Sequence, residues 1–258
     1  MIAKRDIYDE NFKLLIRKGT KVSCKVLEKL TKHGYYNPED IISSKEAGTV
    51  TKKANIRNTE RFELPNIILG DIIFESENKP WGIYVNALCN YLDWIYTHSI
   101  NVSLISMKLA AELKYNYKEL WNLGLGALLH DIGKLVIPKT IISKPGSLND
   151  IEMNYVRRHC ELGARTLEHF CLPKECTDVV LHHHERLDGS GYPEGLKADE
   201  ISCNAKIVMI ADAVDAITSG RPYRAPKKMD DAIKILKDEK GRYSFELIKL
   251  LETVLDLS

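Results

Sequence analysis

The sequence predicts a mainly α protein, an all-α helical bundle preceded by a small α+β unit. Two observations carry that expectation. From about residue 62 onward apolar residues recur at three- and four-residue spacing, and strand signals almost vanish after residue 75. Before residue 45 the chain instead shows short alternating segments bounded by turn formers. The expected organisation is an accessory unit with its linker over residues 1–60 and a main domain over residues 61–258.

The elements follow in order. Residues 6–18 alternate weakly around Asp9-Glu10-Asn11 and suit a short hairpin. Val22, Val26, Leu27 and Leu30 repeat at helical spacing, with Gly34 as a C-cap, and residues 35–42 suit one more strand. Residues 43–61 are polar and aperiodic, which reads as a linker. Ile95, His98, Val102, Ile105 and Leu109 then form one stripe along a long helix. Leu120, Leu123, Ala127 and His130 form a second, ending at Gly133. After the turn at Lys144-Pro145-Gly146, Asn149 or Asp150 caps a helix through Arg158 and beyond. Residues 202–217 are apolar nearly all round and predict a buried central helix. Two amphipathic helices, about residues 229–237 and 244–255, close the chain.

Composition narrows the function. Of 258 residues, 44% are apolar and 28% charged, an ordinary globular balance. With 37 basic and 36 acidic residues there is no bulk field to draw the chain onto nucleic acid or an anionic membrane. The charged N-terminus has no signal-peptide core, and no run approaches the roughly 18 apolar residues that span a bilayer. A cytoplasmic location is the expectation. Six cysteines lack CxxC spacing and read as reduced packing residues.

The polar residues that interrupt apolar faces carry the chemistry. His98, His130 with Asp131, His159, and His183-His184 fall on inward faces of different helices. Asp212 and Asp215 are the acids of an otherwise apolar helix and share a face at i, i+3. A buried carboxylate needs a cation or a hydrogen-bond network. Imidazoles with carboxylates and no thiolate suit Fe, Mn, Zn, Ni or Co in a site built inside a bundle.

These residues lie in recognisable motifs. Leu129-His130-Asp131-Ile132-Gly133-Lys134 followed by Pro138 resembles the signature of the HD phosphohydrolase superfamily. His183-His184-Glu185-Arg186-Leu187-Asp188-Gly189-Ser190-Gly191-Tyr192-Pro193 is similar to the HD-GYP subfamily. The stretches around Lys144-Pro145-Gly146, His159 with Gly163, Asp212 with Asp215, and Arg221-Pro222-Tyr223-Arg224 match in the same order, over roughly residues 80–250. The resemblance implies an HD-type bundle and a metal-dependent phosphodiesterase that opens cyclic di-GMP to pGpG and, in many members, GMP.

It also implies seven metal ligands: His98, His130, Asp131, His159, His183, His184 and Asp212, with Asp131 bridging two divalent ions, Fe or Mn first among them. Two such ions can share a hydroxide, lower the pKa of water and clamp a phosphodiester. Asp131 and Lys134 are the expected catalytic pair, the Lys134 ammonium facing charge that develops on phosphate. Lys134, Asp215, Arg221 and Arg224 are the expected substrate contacts, with Asp215 alternatively supporting a ligand from behind. Gly191, Tyr192 and Pro193 form a loop that reads either as a lid and docking site, with a diguanylate-cyclase-type protein as partner, or as a turn that positions His183 and His184.

Departures from the pattern matter too. Some family members use a Glu four residues before the first His for a third metal; here that residue is Trp94, which predicts two metals. Val136 replaces a usual glycine, and Gly220 stands where an acid is common. The rival readings are hydrolysis of another cyclic dinucleotide such as 3′,3′-cGAMP, and a weakly active cyclic-dinucleotide-binding scaffold. Regulation, dimerisation and structural support all stay open for residues 1–60.

Overall fold

A computed structural model describes residues 2–3, 7–8, 14–16, 20, 41–42, 58–220 and 225–256. The chain divides into two compact units, residues 1–74 and 75–258. In the first, β1 (Ile2–Ala3) pairs antiparallel with β4 (Ile41–Ile42), and β2 (Ile7–Tyr8) with β3 (Leu14–Ile16). The second pairing is the hairpin expected over residues 6–18. The helix expected near residues 22–30 and most of the expected linker lie outside the described residues. Helix α1 (Asn58–Ser76) begins inside that linker, at Asn58-Thr59-Glu60-Arg61. A polar first turn carries no apolar stripe, so periodicity does not register it.

Apart from an isolated bridge between Asp188 and Lys197, the regular elements described in the second unit are helical: α2 (Gly82–Tyr91), α3 (Asp93–Glu112), α4 (Tyr117–Leu129), a 3₁₀ turn (Ile132–Val136), α5 (Lys139–Ile142), α6 (Asp150–Arg157), α7 (His159–Leu167), α8 (Lys174–His182), α9 (Cys203–Thr218), α10 (Met229–Asp238) and α11 (Phe245–Asp256). Side-chain caps start several of them. Asn116 and Glu119 form a reciprocal capping box on α4, and Asn149 and Glu152 do the same on α6. Ser202 accepts the Ala205 N–H at 3.1 Å to open α9.

Helix α4 runs through the middle, packed on α3 and α8, while α9 lies across α3 and α8. Val102 and Leu109 of α3, Leu123 and Leu128 of α4, Val179 and Val180 of α8, and Ile207 and Ile210 of α9 are all fully buried. Leu247, Ile248, Leu251 and Val254 give α11 its inward stripe. Trp94 packs against the Leu88, Ile95, Ile137 and Ile142 cluster. None of the described helices is long and apolar enough to cross a membrane.

One boundary differs from expectation in a way that serves the site. The α4 helix stops at Leu129 instead of running to Gly133, and the chain tightens into the 3₁₀ turn after Asp131. Close packing of α7 requires this. A Cβ on Gly133 would lie 1.9 Å from the His159 carbonyl oxygen and 2.7 Å from the Gly163 nitrogen, both rigid backbone. Gly133→Ala is therefore expected to lose about 3 kcal/mol or more of stability, because neither neighbour can step aside. Thermal unfolding beside the exposed control Thr140→Ala, expected within about 0.5 kcal/mol of the parent, checks this.

Candidate metal centre

The donors come from helix ends and helix interiors brought to one point. His98 projects from the middle of α3 and Asp212 from α9. His130 caps the C-terminus of α4, with Asp131 next to it. His159 opens α7, and His183 caps α8 with His184 following. Two groups result: Asp131, His159, His183 and His184, and beside them His98, His130 and Asp212. Within each group the donor atoms lie within 4.8 Å of one another.

Asp131 faces both. Its Oδ2 lies 3.4 Å from His130 Nε2 and 3.9 Å from His98 Nε2. Its Oδ1 lies 3.4 Å from His159 Nε2 and 4.0 Å from His183 Nε2. Asp212 Oδ1 is 3.0 Å from His98 Nε2, and its Oδ2 is 3.8 Å from His184 Nδ1. Lys134 donates to Asp131 Oδ2 at 2.5 Å. All seven predicted ligand residues, with Lys134, thus come together in one cluster.

Backbone carbonyls set the imidazoles. His130 Nδ1 lies 2.7 Å from the Ala127 oxygen, His159 Nδ1 2.6 Å from Val156, and His183 Nδ1 3.0 Å from Val180. A carbonyl only accepts, so each Nδ1 carries the proton and each Nε2 presents a lone pair inward. His159 Nε2 and His183 Nε2 then face each other at 3.2 Å, two lone pairs with no proton between them. The buried His130 Nε2 and Asp131 Oδ1 have no hydrogen-bond partner. Acceptors that converge on Asp131 Oδ1 without a donor among them fit a cation there.

Protonation agrees. Burial holds His130, His183 and His184 below the ordinary histidine range, and it takes His159 down to about 4. Burial alone would push Asp131 and Asp212 up. It is outweighed at Asp131 by Lys134 and the imidazoles, and at Asp212 by the hydrogen bond to His98, leaving both well below the usual carboxylate range. For His98, burial is likewise overridden by the hydrogen bonds to Asp212 and Asp215, which bring it to about 9. Ionised carboxylates and the neutral imidazoles of His130, His159, His183 and His184 are what a divalent cation requires, whereas His98, held protonated between two carboxylates, must lose a proton to ligate one.

The HD-domain family model matches residues 83–247. The chain belongs to the HD-domain family. A cyclic di-GMP phosphodiesterase of Pseudomonas aeruginosa is 39% identical over 158 residues, covering 61% of this chain and 38% of that protein. A 3′3′-cGAMP-specific phosphodiesterase of Vibrio cholerae is 38% identical over 144 residues, covering 56% of this chain and 33% of that protein. The chain thus spans less than half the length of either relative. Among solved structures, an HDG"Y"P protein from Bdellovibrio bacteriovorus superposes with a TM-score of 0.57 at 20% identity, covering 99% of this chain and 95% of that one. This last likeness speaks to the fold alone.

Around the HD-domain cluster, other predicted residues fall into distinct places. Asp215 has both carboxylate oxygens engaged: Oδ2 with His98 Nδ1 at 2.6 Å, and Oδ1 with Asn101 and Ser219, each at 2.8 Å. It stands behind the His98 imidazole. Tyr192 stacks on His184 with ring centroids 4.8 Å apart and 28° between planes, and its N–H donates to the His184 oxygen at 3.2 Å. Gly191 and Pro193 flank it, and a Cβ on Gly191 would sit 2.4 Å from the Arg186 nitrogen. Arg221 and Arg224 lie outside the described residues. His182, left out of the ligand set, pairs instead with Asp178 at 2.9 Å.

Two residues with clear duties were given none by sequence reasoning. Asn101 holds Asp215, and its signal was its place one turn after His98 on the same face. Glu185 is fully buried, and its carboxylate accepts the N–H groups of Glu194 at 2.8 Å, Gly195 at 3.1 Å and Leu196 at 3.0 Å. It ties the far end of the Tyr192 loop to the residue after His184. Glu185→Gln turns an amide NH₂ toward at least one of those N–H donors and is expected to lower stability by about 2 kcal/mol. Equilibrium denaturation, with a fall in midpoint at unchanged slope, checks it.

Proposed function

We propose that this chain is a binuclear metal-dependent phosphodiesterase that opens cyclic di-GMP to linear pGpG. The observation that carries the reading is Asp131, a buried carboxylate whose two oxygens address two separate groups of imidazole and carboxylate donors. In this reading His98, His130 and Asp212 hold one divalent cation, His159, His183 and His184 the other, and Asp131 both. Fe or Mn is favoured, with Zn, Ni or Co compatible with the same donors. Trp94, packed in an apolar cluster, supports two ions per chain and no third. Two bound divalent cations would lower the pKa of water and neutralise phosphate oxygens.

The remaining steps belong to the side chains. Carbonyls of Ala127, Val156 and Val180 fix three imidazoles in the Nε2-acceptor form, and Asp215 holds the His98 ring by its Nδ1. The Lys134 ammonium rests on Asp131 Oδ2 and is half-buried, so it stands where negative charge grows on a phosphorane. Arg221 and Arg224 remain proposed substrate contacts. The loop of Gly191, Tyr192 and Pro193 remains the proposed face for a diguanylate-cyclase-type partner, and a cytoplasmic location and residues 1–60 as an accessory domain belong to the same reading. The relatives from Vibrio cholerae support 3′,3′-cGAMP as the second substrate to test.

Protein stripped with chelator and reloaded anaerobically with Mn or Fe is expected to bind two ions per chain and to linearise cyclic di-GMP; the stripped form is expected to be inactive. Asp131→Asn should lower turnover at least about a thousandfold, since it removes the anion both cations would share. Asp215→Ala should weaken metal binding about 10- to 100-fold. Metal analysis and product chromatography check these outcomes; three ions per chain, or no linear product with either metal, would exclude the reading.

A further inference from the structure

On the proposed reading, the substrate carries two phosphodiesters, and the metal cluster with Lys134 can engage the one being cleaved. The other phosphate also needs a cation. Arg221 and Arg224, already proposed as substrate contacts, lie outside the described residues, and two described cations near in sequence to the donors are engaged by oxygens. Lys144 pairs with Glu152 at 2.6 Å, and Arg186 donates to the Glu185 carbonyl oxygen at 2.7 Å.

Arg157 is different. It is exposed at the last position of α6, and no carboxylate among the described residues pairs with it. Its guanidinium instead lies 5.4 Å from the centre of the Tyr192 ring, and that ring stacks on His184. Contact with an aromatic face holds a guanidinium without using its five N–H donors, which stay free for an anion. The element beneath is fixed: the Asn149 and Glu152 capping box starts α6, and Val156, next to Arg157, supplies the carbonyl that orients His159.

We propose that Arg157 is a substrate-binding residue that receives the second, uncleaved phosphate of a cyclic dinucleotide, presented by the Tyr192 ring at the edge of the metal cluster. It selects dinucleotides over substrates with a single phosphodiester. Because it touches no reacting atom, its contribution is made equally to bound substrate and transition state and appears mainly in KM.

The test uses the full chain loaded with Mn, with cyclic di-GMP and bis(p-nitrophenyl) phosphate, which has one phosphodiester, as the two substrates. Arg157→Ala is expected to raise KM for cyclic di-GMP at least tenfold with a much smaller change in kcat. The preference for the dinucleotide, as the ratio of the two kcat/KM values, should fall by a similar factor. Arg157→Lys should recover part of the loss, and the exposed neighbour variant Arg158→Ala should show none. Metal content per chain should equal that of the parent. An unchanged KM overturns the assignment. So does an equal loss on both substrates with a fall in bound metal, which would make Arg157 a support for Tyr192 and His184. Parent protein that cleaves the single-phosphodiester probe but no cyclic dinucleotide overturns the functional reading itself, a result separable from either variant outcome.

Discussion

The Asp131 carboxylate is the constraint around which the second unit is arranged. It is fully buried, and an ionised carboxylate in that position is tolerated only with compensating charge or donors. Lys134 supplies part of the compensation through Oδ2. The Oδ1 atom has none from the protein: its neighbours are Nε2 atoms whose protons are committed elsewhere. The polypeptide therefore holds acceptors against acceptors at the centre of a close-packed bundle. The 3₁₀ turn after Asp131, Gly133 against the His159 carbonyl, and the packing of α7 on that turn all serve to keep the carboxylate there.

The imidazoles are oriented by a property that every helix end shares. The last carbonyls of a helix lack intrahelical donors and must find others. His130 and His183 lie at C-termini and turn Nδ1 back to the carbonyl three residues earlier; His159 does the same to Val156 at the end of α6. One hydrogen bond thus satisfies a helix terminus and decides which nitrogen faces the cluster. His98 sits mid-helix, where the carbonyls are already bonded, and so needs Asp215 for the same purpose. The difference explains why a single carboxylate support appears behind this imidazole.

Much of this was legible from pattern. The stripe through His98 and the isolated acids on the apolar α9 marked polar groups on inward faces, which are costly unless they have a use, while the set of seven donors came from the resemblance of the ordered motifs to the HD-GYP subfamily. Support roles were less legible. Asp215 and Asp212 have the same spacing signal, and only rotamer and neighbours distinguish the acid that faces the cluster from the one that stands behind His98. Glu185 stands out in the sequence only as part of the motif from His183 to Pro193, since its three backbone partners are nine to eleven residues ahead and leave no periodic trace. The early end of α4 was invisible for a related reason: the apolar spacing continues through Ile132, and it is contact with α7 that breaks the helix.

The Tyr192 loop shows how these tiers join. Its start is fixed by the approach of Gly191 to the Arg186 backbone, its middle by the Tyr192 N–H on the His184 carbonyl, and its end by the Glu185 carboxylate. A loop fastened at three points directly after two histidines cannot move without shifting them. The same fastening lays the Tyr192 ring on His184 and offers its surroundings to Arg157. A chain with a net charge of only +1 has no long-range field to gather an anionic dinucleotide. On the proposed function, affinity for such a substrate would come from the geometry of the donors and the loop and not from bulk charge.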